Sequence, residues 1–367
     1  MATITNQHSK DKTSSPMNAL LSFLKNEQKF IGIAFILFAI SLITYPMPGI
    51  ARWVGFLVAG YATVANDSIQ TIGTFIASNR QKPWWLLWLF IGGIFVATMT
   101  YSWVTYGGDV SYGRLASKGF SETPMSFSFL QVAAPIFLLI LTRLKMPVST
   151  TFLILTAFST SASSVGKVLM KSLTGYGLAF IIAIITWLAI STLIERYATG
   201  QPNPIWRVAQ WLTTGTLWSV WLMQDAANIA VYLPRQLSGV EFLFFAIPIT
   251  CGLGFMLYKG GAKIQQVVEE KSRVQDVRSA TLIDFIYAII LFYFKIHSKI
   301  PMSTTWVFLG LLAGREIGMS LRKTSDGNLA NAIAMSSRDV FKAVIGLIVS
   351  LLIALGCNAA MRQAILG

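Results

Sequence analysis

Charged side chains are scarce in this chain of 367 residues. Lys, Arg, Asp and Glu together make up 12% of the sequence, whereas a soluble globular domain carries about 25%. Hydrophobic residues make up 54%, and the mean hydropathy is +0.61. This composition excludes an ordinary soluble domain. It predicts an integral, multi-pass protein of the cell membrane (inner or plasma), with the lipid bilayer as its surroundings.

Cysteine and histidine are also rare. The two cysteines, Cys251 and Cys357, both lie in apolar stretches, which favours packing thiols over a disulfide bond. The two histidines, His8 and His297, are too few and too far apart to form a metal cluster. The sequence therefore predicts no metal centre of this kind and no cofactor.

The apolar residues occur in long blocks. Residues 30–45, 84–104, 176–194 and 340–357 contain no internal acid. A membrane-spanning helix needs roughly 17–25 such residues, and by that length the chain holds roughly 10–12 hydrophobic segments. The predicted fold class is therefore an all-α, polytopic membrane protein, preceded by a polar N-terminal tail over residues 1–28.

The net charge of +14 comes mostly from basic residues in the short links between apolar blocks. Arg80 and Lys82 lie in one such link, and Arg143 and Lys145 lie in another. Positive charge beside membrane segments suits insertion and anionic headgroups. This placement favours contact with lipid, so nucleic acid is not a predicted partner.

An acidic motif occurs twice. Residues 65–70 read Ala-Asn-Asp-Ser-Ile-Gln, and residues 223–228 read Met-Gln-Asp-Ala-Ala-Asn. A carboxylate at membrane depth is costly unless it pairs, protonates or binds a cation. Residues three apart share one helix face, so each Asp and its carboxamide could offer oxygen ligands together. Such a cluster suits sodium, or a proton through the Asp alone; the alternative is a buried helix cap. The candidate cation-binding residues are Asn66, Asp67, Gln70, Gln224, Asp225 and Asn228.

A hydroxyl-rich motif is also repeated. Residues 146–152 read Met-Pro-Val-Ser-Thr-Thr-Phe, and residues 300–306 read Ile-Pro-Met-Ser-Thr-Thr-Trp. Proline suits a first helical turn, Ser and Thr cap it, and apolar runs follow over 152–158 and 306–313. Each motif predicts a helix that begins inside the protein, where free N–H groups and hydroxyls can bind an anion. The alternative is an ordinary cap at the membrane surface. The candidate anion-binding residues are Ser149, Thr150, Thr151, Ser303, Thr304 and Thr305.

The two motifs recur in the same order at nearly the same spacing. Ser149 follows Asp67 by 82 residues (149 − 67), and Ser303 follows Asp225 by 78 (303 − 225). This register predicts two transmembrane repeats, over residues 29–195 and 196–367. Two interior helix N-termini with two acidic oxygen clusters in a duplicated membrane chain are typical of a secondary transporter.

The motifs resemble those of the inorganic phosphate transporter (PiT) family of cation-coupled symporters. Its signature is Gly-Ala-Asn-Asp-Val-Ala-Asn once per half, with Pro-Val-Ser-Thr-Thr-His downstream, and the similarity spans about residues 50 to 320. This chain departs at Val64, Gln70 and Gln224, and it has Phe152 and Trp306 in place of the histidines.

The resemblance implies inverted repeats with discontinuous helices and re-entrant hairpins around a mid-membrane site. It also implies a homodimer, with sodium at the acidic motifs and phosphate at the Ser and Thr residues. The predicted function is sodium-coupled phosphate symport by alternating access. The same fold would also suit a proton-coupled transporter, or a transporter of sulfate or another oxyanion instead of phosphate. An anion channel or a membrane receptor is the alternative of another class.

Other conspicuous residues have simpler interpretations. No His or Lys pattern accompanies Ser149 or Ser303, so the sequence does not predict an enzyme. Charges near the hairpins are interpreted as interface side chains, with attraction or gating of the anion as the functional alternative. Four tryptophans at helical spacing are interpreted as packing and interface residues. These two groups are Lys167, Lys171, Arg315 and Glu316, and Trp206, Trp211, Trp218 and Trp221.

Overall fold

The structure is a computed structural model that describes residues 16–116, 120–197, 201–260, 277–297, 300–322, 328–358 and 362–363, with the side chains of 16–24, 68–69 and 190–197 left aside. Helices α1 to α5 are Pro16–Thr44, Pro48–Ser78, Trp84–Thr105, Phe129–Arg143 and Thr150–Leu153, and a 3₁₀ helix follows at Leu155–Phe158. Helices α6 to α11 are Ala162–Tyr197, Ile205–Ala230, Gly239–Tyr258, Val277–His297, Thr304–Leu321 and Leu329–Cys357.

The predicted all-α, polytopic membrane architecture is confirmed. Six helical segments in the described part of the chain are long and apolar enough to cross a bilayer. They are Lys25–Thr44, Trp84–Thr105, Ala162–Ala189, Gly239–Tyr258, Val277–His297 and Leu329–Cys357. Helices α2 and α7 are also long, with 31 and 26 residues, but they carry the polar motifs and fall outside this set. Their polar residues are tolerated because they face protein instead of lipid.

The N-terminal tail is helical in part. Helix α1 begins at Pro16, inside the stretch that the sequence marks as a polar tail, and the boundary of that tail at residue 28 stays a prediction. Residues 1–15 of that tail and residues 261–276 of the charged link after α8 lie outside the described residues. The repeat boundary at residues 195 and 196 and the homodimer stay predictions.

Helices α2 and α7 run antiparallel through the centre of the protein. At one end, the Asn79 amide donates to Gln210 Oε1 at 3.0 Å, which joins the end of α2 to the start of α7. At the other end, Gly55 near the start of α2 lies against the ring of Tyr232, just beyond α7. A glycine is required at position 55 because a Cβ atom there would collide with that ring.

Several of the other helix contacts occur in matched pairs. Contacts of α2 with α4 and α8 are repeated by contacts of α7 with α9 and α3. Contacts of α5 and the 3₁₀ helix with α11 are repeated by contacts of α10 with α6. This pattern, with α2 antiparallel to α7, is that of two repeats related by a two-fold axis perpendicular to both helices. For helices that cross the bilayer, such an axis lies in the membrane plane, so the repeats are inverted.

Each repeat contains a helical hairpin that turns back inside the protein. Hairpin 1 comprises α4, α5 and the 3₁₀ helix (residues 129–158), and hairpin 2 comprises α9 and α10 (residues 277–321). The apolar run over 152–158 predicts a continuous helix, but α5 has only four residues and the chain continues as a 3₁₀ helix. Hydroxyl residues follow from Ser159 to Ser161, and these compete for backbone hydrogen bonds and stop a helix.

Hairpin 2 is fastened to α6 by a row of glycines. Gly310 and Gly314 of α10 face the backbone carbonyls of Tyr176 and Phe180, and a Cβ atom at either position would clash there. Glycines spaced by four residues let two helix backbones approach closely in a membrane, where dispersion rather than the hydrophobic effect drives helix packing. The close approach fixes the position of the second hydroxyl motif.

Candidate functional site

The Asp of each acidic motif contacts the first Thr of a hydroxyl motif. Thr150, at the N-terminus of α5, donates its hydroxyl proton to Asp67 Oδ2 on α2. Thr304, at the N-terminus of α10, donates to Asp225 Oδ2 on α7 in the same way. All four side chains are buried. The structure therefore brings the candidate cation and anion residues into contact, once within each repeat.

One carboxamide connects the two halves. The Asn228 amide nitrogen donates to Asp225 Oδ1 at 3.0 Å and to Thr150 Oγ1 at 2.9 Å. Because Thr150 belongs to the first repeat and Asn228 to the second, hydrogen bonds run without interruption from Asp67 to Asp225. The two acidic clusters form one continuous polar centre.

The carboxamides are oriented with their nitrogens engaged. Asn66 donates to Asp67 Oδ1 and to the carbonyl of Val148 at 2.8 Å, and Gln224 donates to the carbonyl of Leu291 at 2.8 Å. Their oxygens, Asn66 Oδ1 and Gln224 Oε1, and also Asn228 Oδ1, are buried without a hydrogen-bond partner among the described residues. Buried polar oxygens without partners are costly, so three oxygens in this arrangement are available as cation ligands.

Gln70 is a weaker member of the cation set. Its amide nitrogen lies 3.5 Å from Asp67 Oδ1, at the limit of a hydrogen bond. Thr71, on the next position of α2, donates at 3.2 Å to the backbone carbonyl of Asp67.

The serines and second threonines fix the two hairpin tips. Ser149 and Ser303 act as N-caps, accepting from the backbone N–H of Phe152 and of Trp306 at 3.3 Å each. The second threonines cross between repeats. Thr151 donates to the Met302 carbonyl at 3.1 Å, and Thr305 lies 3.5 Å from the Val148 carbonyl. All six predicted anion residues therefore lie together at the meeting point of the two tips.

Two aromatic rings replace the histidines of the resembled family. Phe152 and Trp306 follow the two motifs, and their ring centroids lie 6.4 Å apart in an edge-to-face arrangement. Both side chains are buried. The matching positions of the two repeats thus form an apolar pair directly after the two hydroxyl motifs.

Several residues at the site were not identified from the sequence. Trp221, interpreted as packing, donates its indole N–H to Thr304 Oγ1 at 3.2 Å. The Tyr287 hydroxyl donates to the Thr304 carbonyl at 2.9 Å, and Ser172 Oγ accepts from the Ser303 N–H at 2.8 Å. The second-repeat tip is therefore held by residues from α6, α7 and α9. Only the helical spacing of the tryptophans was visible in the sequence, and it gave no sign of this contact.

The charged residues near the hairpins differ from one another. Lys167 is exposed, as an interface residue would be, whereas Lys171 donates to the carbonyl of Ile300 at the tip of hairpin 2. Arg315 is only 4% exposed and lies 2.7 Å from Glu316 Oε1, so the structure does not place it as a snorkelling side chain. Its guanidinium also covers the ring of Trp187.

Comparisons with known proteins support the same fold. No family model matches the sequence, and no curated protein matches it. A solved structure described as "The sodium-dependent phosphate transporter" matches with a TM-score of 0.60 at 16% sequence identity, over 87% of this chain and 99% of that chain. The chain thus has the fold of a solved phosphate-transporter structure, which confirms at the level of the fold the resemblance that the duplicated motifs indicate.

Proposed function

We propose that this protein is a secondary active transporter that carries inorganic phosphate across the membrane together with sodium. The observation that carries the proposal is the duplicated contact of Thr150 with Asp67 and of Thr304 with Asp225. It joins an anion-type site, made of hydroxyls and helix N-termini, to a cation-type site, made of carboxylates and carboxamides. Direct contact between such sites lets the binding of one ion favour the binding of the other.

Sodium would be held by Asp67 and Asp225 with the carboxamide oxygens of Asn66, Gln224 and Asn228. Sodium is a hard cation that prefers oxygen ligands, and these three oxygens have no other partner among the described residues. The carboxylates balance the positive charge of sodium in a buried place, and the neutral oxygens replace its water ligands, which offsets the cost of removing the ion from water.

Phosphate would be held by the two hairpin tips. The N-terminus of α10 presents N–H groups and the positive end of a helix dipole, the single turn of α5 presents N–H groups, and the Ser and Thr hydroxyls can rearrange to donate. Interior helix N-termini bind anions without a dedicated basic cage, and moderate affinity suits a site that must also release its substrate.

Alternating access is the transport mechanism that the inverted repeats support. Two halves related by a two-fold axis in the membrane plane can exchange conformations, and the exchange exposes the central site to opposite faces in turn. The polar centre includes residues of both antiparallel helices, Asp67 on α2 and Asp225 on α7, which is consistent with a central site shared by the two repeats.

The test is uptake of radiolabelled phosphate into liposomes that contain the purified protein. Sodium and proton gradients are imposed separately, with unlabelled sulfate as competitor. We expect saturable uptake driven by sodium and unaffected by sulfate. Uptake driven only by protons would identify the proton, instead of sodium, as the coupling ion. Uptake blocked by sulfate would indicate that the substrate is another oxyanion. Conduction without a coupling ion would indicate a channel.

A further inference from the structure

A third buried carboxyl group lies apart from the polar centre. Asp284, on α9 of hairpin 2, is 1% exposed. Thr74 of α2 donates to its Oδ1 at 2.7 Å, and Thr214 of α7 donates to its Oδ2. Both threonines are buried. Asp284 therefore lies where hairpin 2 contacts both central helices, at a place that neither repeated motif marks.

The position of Asp284 is separate from the predicted cation residues. Thr74 follows Asp67 by seven residues (74 − 67), and Thr214 precedes Asp225 by eleven (225 − 214). These separations are about two and three helical turns, so the threonines face the same side of each helix as the two acids. Seven residues of helix rise about 10 Å. Asp284 thus lies about that much nearer to the end of α2 than the polar centre does.

The charge of Asp284 has no counterpart in its contacts. The two hydroxyls are its hydrogen-bond partners, and no basic side chain of the described residues is among them. Helix α9 is one of the six candidate spans. An ionised carboxylate at membrane depth is costly unless it pairs, binds a cation or takes up a proton. Asp284 therefore requires a positive partner that the described side chains do not supply.

The ionisable groups on the neighbouring helices have other contacts or lie farther along the chain. Helix α9 packs against α2, α6, α7 and α10. Asp67 and Asp225 face the same seam from α2 and α7, and Tyr287, one turn after Asp284, donates its hydroxyl to the Thr304 carbonyl. None of the described basic side chains and histidines of these helices contacts Asp284; they are Arg52, Lys167, Lys171, Arg207, Arg278, Lys295, His297 and Arg315.

Polar side chains continue from Asp284 toward the face where α2 ends and α7 begins. Ser78 donates to the carbonyl of Thr74 at 2.8 Å, and Gln210 of α7 donates to Ser78 Oγ. Asn79 then donates to Gln210 Oε1 at 3.0 Å, and the residue after Asn79 is exposed. This row of polar groups connects Asp284 with the solution at one face.

The first repeat has no such group. The repeats align with a shift of 158 at the acidic motifs (225 − 67) and of 154 at the hydroxyl motifs (303 − 149). The tyrosine at the matching place donates its hydroxyl to the Gln131 carbonyl at 2.7 Å, so the same elements meet there without an acid. The counterparts are Tyr232 for Thr74, Phe56 for Thr214 and Leu130 for Asp284.

The hydrogen bonding around Asp284 suits a proton better than sodium. Three carboxamide oxygens of the polar centre lack a partner, whereas among the described residues no side-chain oxygen beside Asp284 does. Sodium needs several free oxygen ligands, but a proton needs one oxygen. A protonated Asp284 can donate to one of its threonines, and that hydroxyl can donate to the carbonyl four residues earlier in its helix. A proton can therefore bind without leaving a polar group unpaired.

We propose that Asp284 is a proton-binding site, separate from the sodium and phosphate sites, which exchanges its proton with the solution at the face where α2 ends and α7 begins. It goes beyond the proposed function and does not depend on it. Uptake rates alone do not test it, because phosphate itself titrates near neutral pH.

The test is infrared difference spectroscopy of the full-length protein in detergent, between acid and alkaline buffer. The C=O stretch of a carboxylic acid is lost when the acid ionises. We expect a band that Asp284→Asn removes, whereas Glu122→Gln, at an exposed acid, and the double variant Asp67→Asn with Asp225→Asn both keep it. A spectrum that Asp284→Asn leaves unchanged, in protein that elutes normally in size-exclusion chromatography, would overturn the proposal.

A second variant keeps the carboxyl group and tests its surroundings. Thr214→Val removes a donor from the ionised form, so the band should titrate about one pH unit higher. Thr216→Val, at an exposed position of the same helix, should leave the midpoint unchanged. An unchanged midpoint in Thr214→Val would also count against the proposal, and this comparison decides if Asp284→Asn does not fold.

Sodium and phosphate separate this site from the transport sites. A tenfold rise in sodium should leave the midpoint of the band in place. A fall of up to about one pH unit for each tenfold rise would show that Asp284 holds sodium and would overturn the proton site. If Asp284 titrates in protein that takes up no phosphate, the proton site stands and the proposed function fails. If phosphate is taken up but Asp284 does not titrate, the proposed function stands alone.

Discussion

The tips of the two hairpins make the same hydrogen bonds, although the helical segments behind the tips differ. In hairpin 1 the chain returns through a helix of four residues and a 3₁₀ helix, whereas in hairpin 2 it returns through the 18-residue helix α10. Yet both tips place a serine cap at 3.3 Å and a threonine hydroxyl on an aspartate. The comparison teaches that the duplicated contacts at the tips, rather than the helices behind them, define the site.

A short helical return also differs energetically from a long one. Few backbone hydrogen bonds form within four residues, so α5 depends on its neighbours, while α10 also gains from its own length and its close packing on α6. Segments that move in function come from the less stable end of a structure. Hairpin 1 is therefore the better candidate for the moving element, and hairpin 2 for the fixed one.

The largest expected effect comes from removing either carboxylate. Asp67→Asn and Asp225→Asn should each lower sodium-driven phosphate uptake about 100-fold or more, since each removes a charged acceptor worth about 1.5–3 kcal/mol and a negative charge that holds the cation. The measurement is the initial rate of labelled phosphate uptake in liposomes, with insertion checked by size-exclusion chromatography. Glu122→Gln, at an exposed acid, is the control. Normal rates with normal sodium dependence in both variants would refute the assigned cation site.

Removing the hydroxyl from either threonine tests whether the tips are equivalent. Thr150→Val and Thr304→Val keep the shape of the side chain but lose a bond to a carboxylate, so each should raise the phosphate KM about 10- to 100-fold. Thr150→Ser and Thr304→Ser should restore much of the affinity. Thr216→Val, at an exposed helix position, is the matched control. A large effect at one tip alone would contradict the chemical equivalence of the two repeats.

The packing of each hairpin against its neighbouring helix can be compared by Gly→Ala substitutions, which add one methyl group at the contact. Gly314→Ala should lower the free energy of unfolding by about 1–3 kcal/mol, because the new Cβ would meet the backbone of Phe180. Gly346→Ala on α11 should cost less, since its nearest neighbour is a side-chain methyl of Val148 at 3.2 Å. Gly177→Ala on α6 faces open space and is the control. Apparent melting temperatures of the purified variants give the order, and equal losses at 314 and 346 would contradict the difference in support.

Much of the site could be predicted because its acidic and hydroxyl motifs each occur twice in the sequence. The common spacing of the two motifs indicated two similar repeats, and the pairing of Asp67 with Thr150 does match that of Asp225 with Thr304. The contact between Asp and Thr itself was not predicted. Many of the helices could also be predicted, because a long apolar segment by itself indicates a membrane-spanning helix.

The remaining features depend on contacts between distant parts of the chain. Arg114 reaches Met223 across 109 positions from an irregular link, where periodicity gives no information. The brevity of α5 was missed because the apolar run after Ser149 looks like the one after Ser303. Only the second run continues into a segment that docks on α6 through glycines, and tertiary packing of this kind decides whether a marginal helix is extended.

The smallest expected effect concerns a contact that only the second repeat has. Trp221 donates to Thr304 Oγ1, whereas its counterpart by alignment of the acidic motifs is Thr63, whose hydroxyl has no partner among the described residues. Trp221→Phe removes that N–H and keeps an aromatic ring, so the phosphate KM should rise about 3-fold, the value of one neutral hydrogen bond. Trp218→Phe is the control, because its ring stacks on Trp221 at 4.9 Å but its N–H donates to the Ile91 carbonyl. A rise in KM at position 221 alone would show that the second tip is tuned by a donor that the first tip lacks; equal effects at 218 and 221 would mean that the tryptophans act only through packing.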